Sequence, residues 1–438
     1  MTNSPSSLAA SLTKIPLTSH IEGSSCHPLP EDAAQFDRQD RPFLAIDLFA
    51  GAGGLTQGFR DAGFKVVQAV EQDPAATATY TANHPDVDVI CADIQTLDPI
   101  ACLERINLAC GEVSILIGGP PCQGFSESNR RTRTLANPKN HLYIDFLRFV
   151  TSVKPEWVVF ENVAGLRTME RGVILSRILV ALREAGYEAE SCLLNSANHG
   201  VPQVRRRLFV IANRLNLPIP QKTDLVTLAK SDRITVRQAI ADLPMLPNGA
   251  SIDKLEYPSN PTSDYQRKMR QGVGKLVSGN LVTRNCAHIQ QRYRHIPEGG
   301  NWKDIPVSLL SNYTDRTRCH TGIYHRLSWD LPAKVIGNFR KNMLVHPNQD
   351  RGLSVREAAR LQGFPDTYHF TGTIGPSQQQ VADAVPPLLA EAVAVAIFRS
   401  LVSAPQRFSP DPMTAALTVG TVSTSKESAS ISHTNDIP

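Results

Sequence analysis

Gly118-Gly119-Pro120-Pro121-Cys122-Gln123-Gly124-Phe125-Ser126 follows directly on the apolar run Val113-Ser114-Ile115-Leu116-Ile117. The run reads as a buried strand, and the turn after it is stiffened by two prolines and opened by flanking glycines. An open α/β sheet keeps its ligands beyond the carboxyl ends of its strands. A cysteine at an arbitrary position is most often a core residue. Here the prolines fix the backbone and the glycines let another molecule approach, so Cys122 is the candidate nucleophile.

Outward from this turn the chain alternates strands and helices. Strands are expected at 43–49, 65–70, 87–90, 113–117, 156–160 and 207–212, with helices at 55–62, 141–153 and 173–184 and one opened by Pro74. Elements of this length in this order predict an α/β fold, a parallel sheet covered on both faces. After Asn213 the pattern breaks into short pieces punctuated by proline and glycine, which reads as a second, smaller irregular domain at 213–350. Periodicity returns at Ser354, where a Ser cap with Glu357 three places on opens a helix. A last apolar helix at 387–402 is expected to pack back on the first domain. Residues 1–40 and 403–438 are rich in Ser, Thr, Pro and Asp without periodicity and read as disordered tails, leaving 41–212 and 351–402 as one catalytic and cofactor-binding domain.

The 438 residues, 41% hydrophobic and 20% charged, are enough for a sizeable core. No apolar run approaches the ~20 residues that cross a bilayer and no secretion signal opens the chain, so a cytoplasmic protein is expected. The eight cysteines form no C-x-x-C pair, which indicates neither a structural zinc site nor a disulfide framework. The net charge of +4 is mild, but residues 214–318 hold sixteen Lys and Arg against nine Asp and Glu, so the positive surplus is local. Charge alone leaves a nucleic-acid face and an ordinary solvated face equally open.

Phe49-Ala50-Gly51-Ala52-Gly53-Gly54 follows the first strand and opens a helix, so backbone amides and the positive helix end face whatever binds there. Glu71 ends the second strand twenty positions after Gly51, where a carboxylate can accept from ribose hydroxyls. Asp93 follows the third strand and is placed to accept from an adenine amino group. Thr56 stands where a dinucleotide fingerprint wants its third glycine, which disfavours a pyrophosphate and favours S-adenosylmethionine. Glu161, in Phe160-Glu161-Asn162-Val163, is delivered by another strand end into apolar surroundings that should raise its pKa. In Gln203-Val204-Arg205-Arg206-Arg207 alternate residues share a face, which pairs Arg205 with Arg207.

Taken together with Arg326-Leu327-Ser328-Trp329-Asp330-Leu331-Pro332-Ala333 and Gln380-Val381-Ala382-Asp383-Ala384-Val385-Pro386-Pro387, these motifs resemble the DNA cytosine-5 methyltransferase family over about residues 43–400. The resemblance implies a Rossmann-like S-adenosylmethionine-dependent enzyme without a metal, acting on double-stranded DNA, with sequence recognition in the irregular domain. It implies Cys122 as the thiolate that adds to carbon 6 of cytosine, Glu161 at ring nitrogen 3, and Arg207, more than Arg205, at O2. It also implies cofactor contacts from Phe49, Gly51, Ala52, Gly53, Gly54, Glu71, Asp93, Ile94, Pro121, Leu142, Asp383 and Val385. The loop 124–140, with Arg130, Arg131, Arg133 and Lys139, is expected to close over DNA. The family usually reads Gly-Asn where this chain has Ala382-Asp383, and alanine would be strained there at positive φ.

A free-standing enzyme of this size is expected to work as a monomer beside a cognate restriction endonuclease acting on the same site. Two other readings stay open: a transfer-RNA cytosine-5 methyltransferase, whose Cys-Phe-Thr motif is missing here, and a catalytically silent DNA-binding regulator.

Overall fold

The computed structural model describes residues 42–121, 142–225, 228–311, 322–339 and 343–403. Cys122, the loop around Arg130, Arg131, Arg133 and Lys139, and both tails lie outside the described residues. Seven strands form one sheet: β1 (Leu44–Leu48), β2 (Lys65–Glu71), β3 (Asp88–Cys91), β4 (Ile115–Gly118), β5 (Trp157–Val163), β6 (Glu188–Asn195) and β7 (Arg206–Asn213). Their order is β3-β2-β1-β4-β5-β7-β6. The first five run parallel, and β7 pairs antiparallel with both β5 and β6.

The expected all-parallel sheet is therefore mixed, and β6 was not anticipated. The physical reason is the short link from Asn195 to Arg206, which contains only a 3-10 turn at Ser196–His199. A parallel return needs a crossover of a dozen or more residues, whereas antiparallel neighbours need only a turn.

Alternate strand residues feed two apolar cores. Ile46, Leu48, Leu116, Val158 and Phe160 pack with Phe146 of α4 (Leu142–Val153) and Ile178 of α5 (Val173–Glu184) on one face. Ala45, Ile115, Ile117, Val159 and Phe209 pack with Phe59 of α1 (Gly54–Asp61) on the other. α2 (Pro74–Asn83) is opened by Asp73, whose carboxylate accepts from Ala75 N–H, with Pro74 at the first helical position. α3 (Pro99–Arg105) is capped in the same way by Asp98.

Short helices α6 (Val236–Ile240), α7 (Asp264–Met269) and α8 (Ala287–Arg294) stand among irregular backbone. They lie in the same contact unit as the sheet. α9 (Val355–Gln362) starts with the expected capping box, Ser354 Oγ accepting from Glu357 N–H and the Glu357 carboxylate accepting from Ser354 N–H. α10 (Ile374–Asp383) and α11 (Pro387–Val402) follow. Glycine at 58 lets α11 cross α1 closely, because a side-chain carbon there would overlap the Pro387 carbonyl and Ala390.

Within Ile374–Val402 an 18-residue window of mean hydropathy 1.8 has the composition of a membrane span. The stretch is broken between α10 and α11, and 72% of that window is buried inside the fold. Its apolar character is that of a core helix against α1.

Candidate active site

The strand order reverses between β1 and β4, and a cavity of about 1080 Å³ opens at the carboxyl ends of the strands around that point. Phe49, Gly51, Ala52, Gly54, Glu71, Asp93, Ile94, Pro121 and Leu142 line it, joined by Glu161, Arg205 and Arg207 and by Asp383 and Val385 from the far end of the chain. Residues more than three hundred positions apart thus share one wall.

On the first side, Phe49 takes a left-handed φ of 58° at the end of β1, and Ala50 N–H donates to Val70 O. The turn then presents Gly51, where an added carbon would meet nothing within 4 Å, so this backbone faces open space. Glu71 holds the turn from β2: one carboxylate oxygen accepts from Gly51 N–H and the other from Asp73 N–H, both at 2.8 Å. Burial raises the Glu71 pKa, against the opposing pull of these amides. Asp93 caps the 3-10 turn Ile94–Thr96 through Gln95 N–H, and Ile94 is buried beside it. An open glycine turn, a carboxylate with remaining acceptor capacity and an apolar floor fit an adenosine group.

Gly53 is the exception among the expected cofactor contacts, since it does not line the cavity. Its φ of 86° makes it the left-handed cap of α1, and a carbon there would come within 2.6 Å of the Tyr368 hydroxyl oxygen and 3.0 Å of His84 Nε2. Gly54 lines the cavity, and a carbon there would overlap the Val385 carbonyl. Thr56, in place of a third glycine, donates its hydroxyl to the buried Asp47 carboxylate at 2.7 Å and bonds the Tyr80 hydroxyl. Burial pushes the Asp47 pKa up to about 7. Helix and sheet meet here through hydrogen bonds, where a dinucleotide turn would bring them together on glycine.

On the second side, Glu161 and Arg207 form an ion pair with Nε to Oε1 at 2.8 Å, their side chains 9% and 13% exposed. In the β5–β7 register Glu161 faces Phe209 and Val163 faces Arg207, which makes the pair diagonal neighbours on one face. Burial raises the Glu161 pKa, while Arg207 and Arg205 pull it down. Burial also lowers the Arg207 pKa, which the carboxylate partly offsets.

Arg205 stands just before β7 and is spent differently. Its Nη1 donates to Ile336 O at 2.9 Å and its Nη2 to Ala382 O and Ala384 O at 2.9 and 3.2 Å. The side chain shares the cavity wall with Arg207, yet its fork joins three backbone carbonyls.

Two residues inside the quoted motifs carry no role in the sequence reading. Asn162 donates to Pro120 O at 3.1 Å and so ties β5 to the Pro-Pro turn that leads to Cys122. Gln203, fully buried, accepts from Ile336 N–H and donates to Leu361 O. The signal for both was their position beside a functional residue. Asn338 and Gln379, which also line the cavity, had no sequence signal; Asn338 donates to Gln379, and Gln379 donates to Asp383, each at 2.7 Å. Ala382 lies buried inside α10 and is absent from the residues with positive φ, so the feared strain does not arise. Among the described residues no cluster of His, Cys, Asp and Glu could hold a metal ion.

A parallel-dominated sheet with a cavity at its switch point, walled by a glycine turn, acidic strand ends and a buried Glu–Arg pair, defines a Rossmann-like methyltransferase. Residues 43–399 match the family C-5 cytosine-specific DNA methylase, and the chain belongs to it. It is thus a DNA cytosine-5 methyltransferase, an enzyme of the transferase class. Among its relatives, the type II methyltransferase M.DdeI of Desulfomicrobium norvegicum is 35% identical over 80% of this chain and 87% of its own length. The type II methyltransferase M1.HphI of Haemophilus parahaemolyticus is 36% identical over 81% and 86%. A prophage-encoded E. coli protein assigned as a DNA modification methyltransferase superposes with a TM-score of 0.67 at 26% identity, covering 82% of this chain and all of its own.

Proposed function

We propose that the enzyme transfers the methyl group of S-adenosylmethionine to carbon 5 of a cytosine in a specific duplex DNA sequence, and that it protects DNA from a cognate restriction endonuclease in the cytoplasm. The observation that carries the reading is the sharing of one cavity by the Gly51–Glu71 turn and the Glu161–Arg207 pair. The names of the type II relatives support the protective role.

Carbon 5 of cytosine is too weak a nucleophile to take a methyl group directly. The Cys122 thiolate adds to carbon 6, which makes carbon 5 enamine-like. Glu161, kept protonated to higher pH by burial, gives its proton to ring nitrogen 3 and so drains the charge of the adduct. Arg207 holds O2 and keeps the carboxyl in place. Phe49, Gly51, Glu71, Asp93 and Ile94 would hold the adenosine half of S-adenosylmethionine, with Pro121, Leu142 and Val385 closing around the rest. Bound there, the cofactor supplies an electrophilic methyl group. A base then removes the carbon 5 proton, the electron pair of that bond re-forms the 5,6 double bond as the thiolate leaves, and ring nitrogen 3 returns its proton to the Glu161 carboxylate.

The base must leave the duplex to reach this cavity, at ~a few kcal/mol offset by phosphate contacts. The basic, irregular residues 213–350 are the target-recognition part in this reading, and the enzyme works as a monomer. Bisulfite sequencing of DNA from cells expressing the protein should show methylated cytosines in one recurring sequence context. The same assay with Cys122→Ser should show none, and methylation by that variant overturns the mechanism.

A further inference from the structure

The turn that faces the cavity is pinned from two sides. Glu71 takes Gly51 N–H on the β2 side. On the other side the Tyr368 hydroxyl donates to Ala52 O, one residue further on. Holding an N–H at one end and a carbonyl at the next residue fixes the peptide planes of the turn.

The seat of Tyr368 is itself rigid. The residue is 2% exposed and follows α9 in the chain. Arg356, on α9, donates to its carbonyl at 2.6 Å. Phe364 and Phe370 pack on its ring with centroids 4.7 and 5.5 Å away. Its hydroxyl also bonds His84 Nε2 at 3.2 Å, from the end of α2. Gly53 carries no side chain because the hydroxyl and the imidazole occupy that space.

We propose that Tyr368 is a positioning residue for the cofactor: its hydroxyl, held by His84, sets the Ala52–Gly53 peptide so that the Gly51–Gly54 turn is shaped before S-adenosylmethionine arrives. This rests on the placing of that cofactor in the cavity. Preorganisation of this kind shows in binding, because a turn that must be ordered by the ligand takes its cost from affinity. Loss of the hydroxyl takes this donor from the Ala52 carbonyl and lets the free turn populate other conformations, and a binding-competent fraction of about one in ten corresponds to a ten-fold loss of affinity.

The test is calorimetry of S-adenosylmethionine and S-adenosylhomocysteine with the wild-type protein and with Tyr368→Phe, at a temperature well below both melting transitions. Both ligands should bind the variant about ten-fold more weakly, while its affinity for DNA is unchanged. A residue that only stabilised the fold would lower the melting temperature and leave both dissociation constants as they are, and that result overturns the proposal. If Tyr368→Phe does not fold, His84→Leu decides the question: it takes away the bond that orients the hydroxyl together with the imidazole's own bond to the Gly53 backbone, and unchanged cofactor affinity there also overturns the proposal. Failure of the wild-type protein to bind either ligand removes the cofactor reading, and this inference with it.

Discussion

Arg207 Nε stands 2.8 Å from Glu161 Oε1 across two antiparallel strands, with both side chains nearly withdrawn from water. Burial raises the carboxyl pKa and the guanidinium opposes the rise, so the pair sets how far above the ordinary carboxylate range the acid form persists. A group whose folded pKa is raised keeps its proton below that pKa and loses it above. Turnover that needs the acid form should fall on the alkaline side of the raised value. The profile of kcat against pH should show this limb in the wild-type enzyme. Glu161→Gln should flatten it and lower kcat by roughly 10²-fold or more.

Removing the guanidinium takes away the main opposing influence on Glu161. Arg207→Ala should therefore move the alkaline limb of the residual activity to higher pH as well as lowering its height. A lower rate with an unmoved limb would show that Arg207 does not set the ionisation of Glu161.

Arg205 and Arg207 are two positions apart, yet they should fail in different ways. Arg205→Met takes donors from Ile336 O, Ala382 O and Ala384 O; Ala384 O keeps the Gln362 amide, while the buried Ile336 and Ala382 carbonyls lose this donor at ~1–3 kcal/mol each. The expected result is a melting temperature several degrees lower and weaker cofactor binding, because Ala382 and Ala384 line the cavity. Arg207→Met strips Glu161 of its counter-charge, but the buried carboxyl, its pKa already raised, can take up a proton, so this variant should melt closer to the wild type than Arg205→Met and lose turnover. Equal melting temperatures for the two variants would refute this division of labour.

This division marks the limit of what the sequence could show. The period of two in Gln203-Val204-Arg205-Arg206-Arg207 puts both arginines on one face, and both do line the cavity. Which of them carbonyls occupy depends on Ile336 and Ala384, more than a hundred residues away. The parallel half of the sheet was legible because each buried strand ends in a turn with its own glycine, proline or acidic signature. β6 was not, because it is an edge strand with a mixed burial pattern and little periodicity. The Asn338–Gln379–Asp383 chain and the Tyr368 contact leave no local trace, since both are made only when distant segments meet.

Ala382 tests a sequence-based expectation directly. At a left-handed position Ala382→Gly would relieve strain and strengthen cofactor binding. In the structure Ala382 is a buried residue in the last turn of α10. Glycine should then bring no gain in affinity and cost up to ~1 kcal/mol of stability. Calorimetry beside thermal melting separates the two outcomes, and a tighter cofactor complex would contradict the helical placement.

Glu357 predicts how the fold fails in acid. It is buried, and both carboxylate oxygens accept from Arg351 at 2.7 and 2.8 Å, with His346 Nε2 3.6 Å away. Burial alone would raise its pKa, but Arg351, His346 and the Ser354 amide outweigh that and hold it at about 2. For a carboxylate depressed on folding, the stabilisation is complete above the unfolded value of 4.5 and is lost as pH falls through about 2. The melting temperature should therefore fall across that window. Glu357→Gln leaves Arg351 buried without its counter-charge, a loss of ~3–5 kcal/mol at neutral pH. The variant should melt well below the wild type at pH 7, and the difference should shrink toward pH 2. A constant difference across this range would assign the acid transition to other groups.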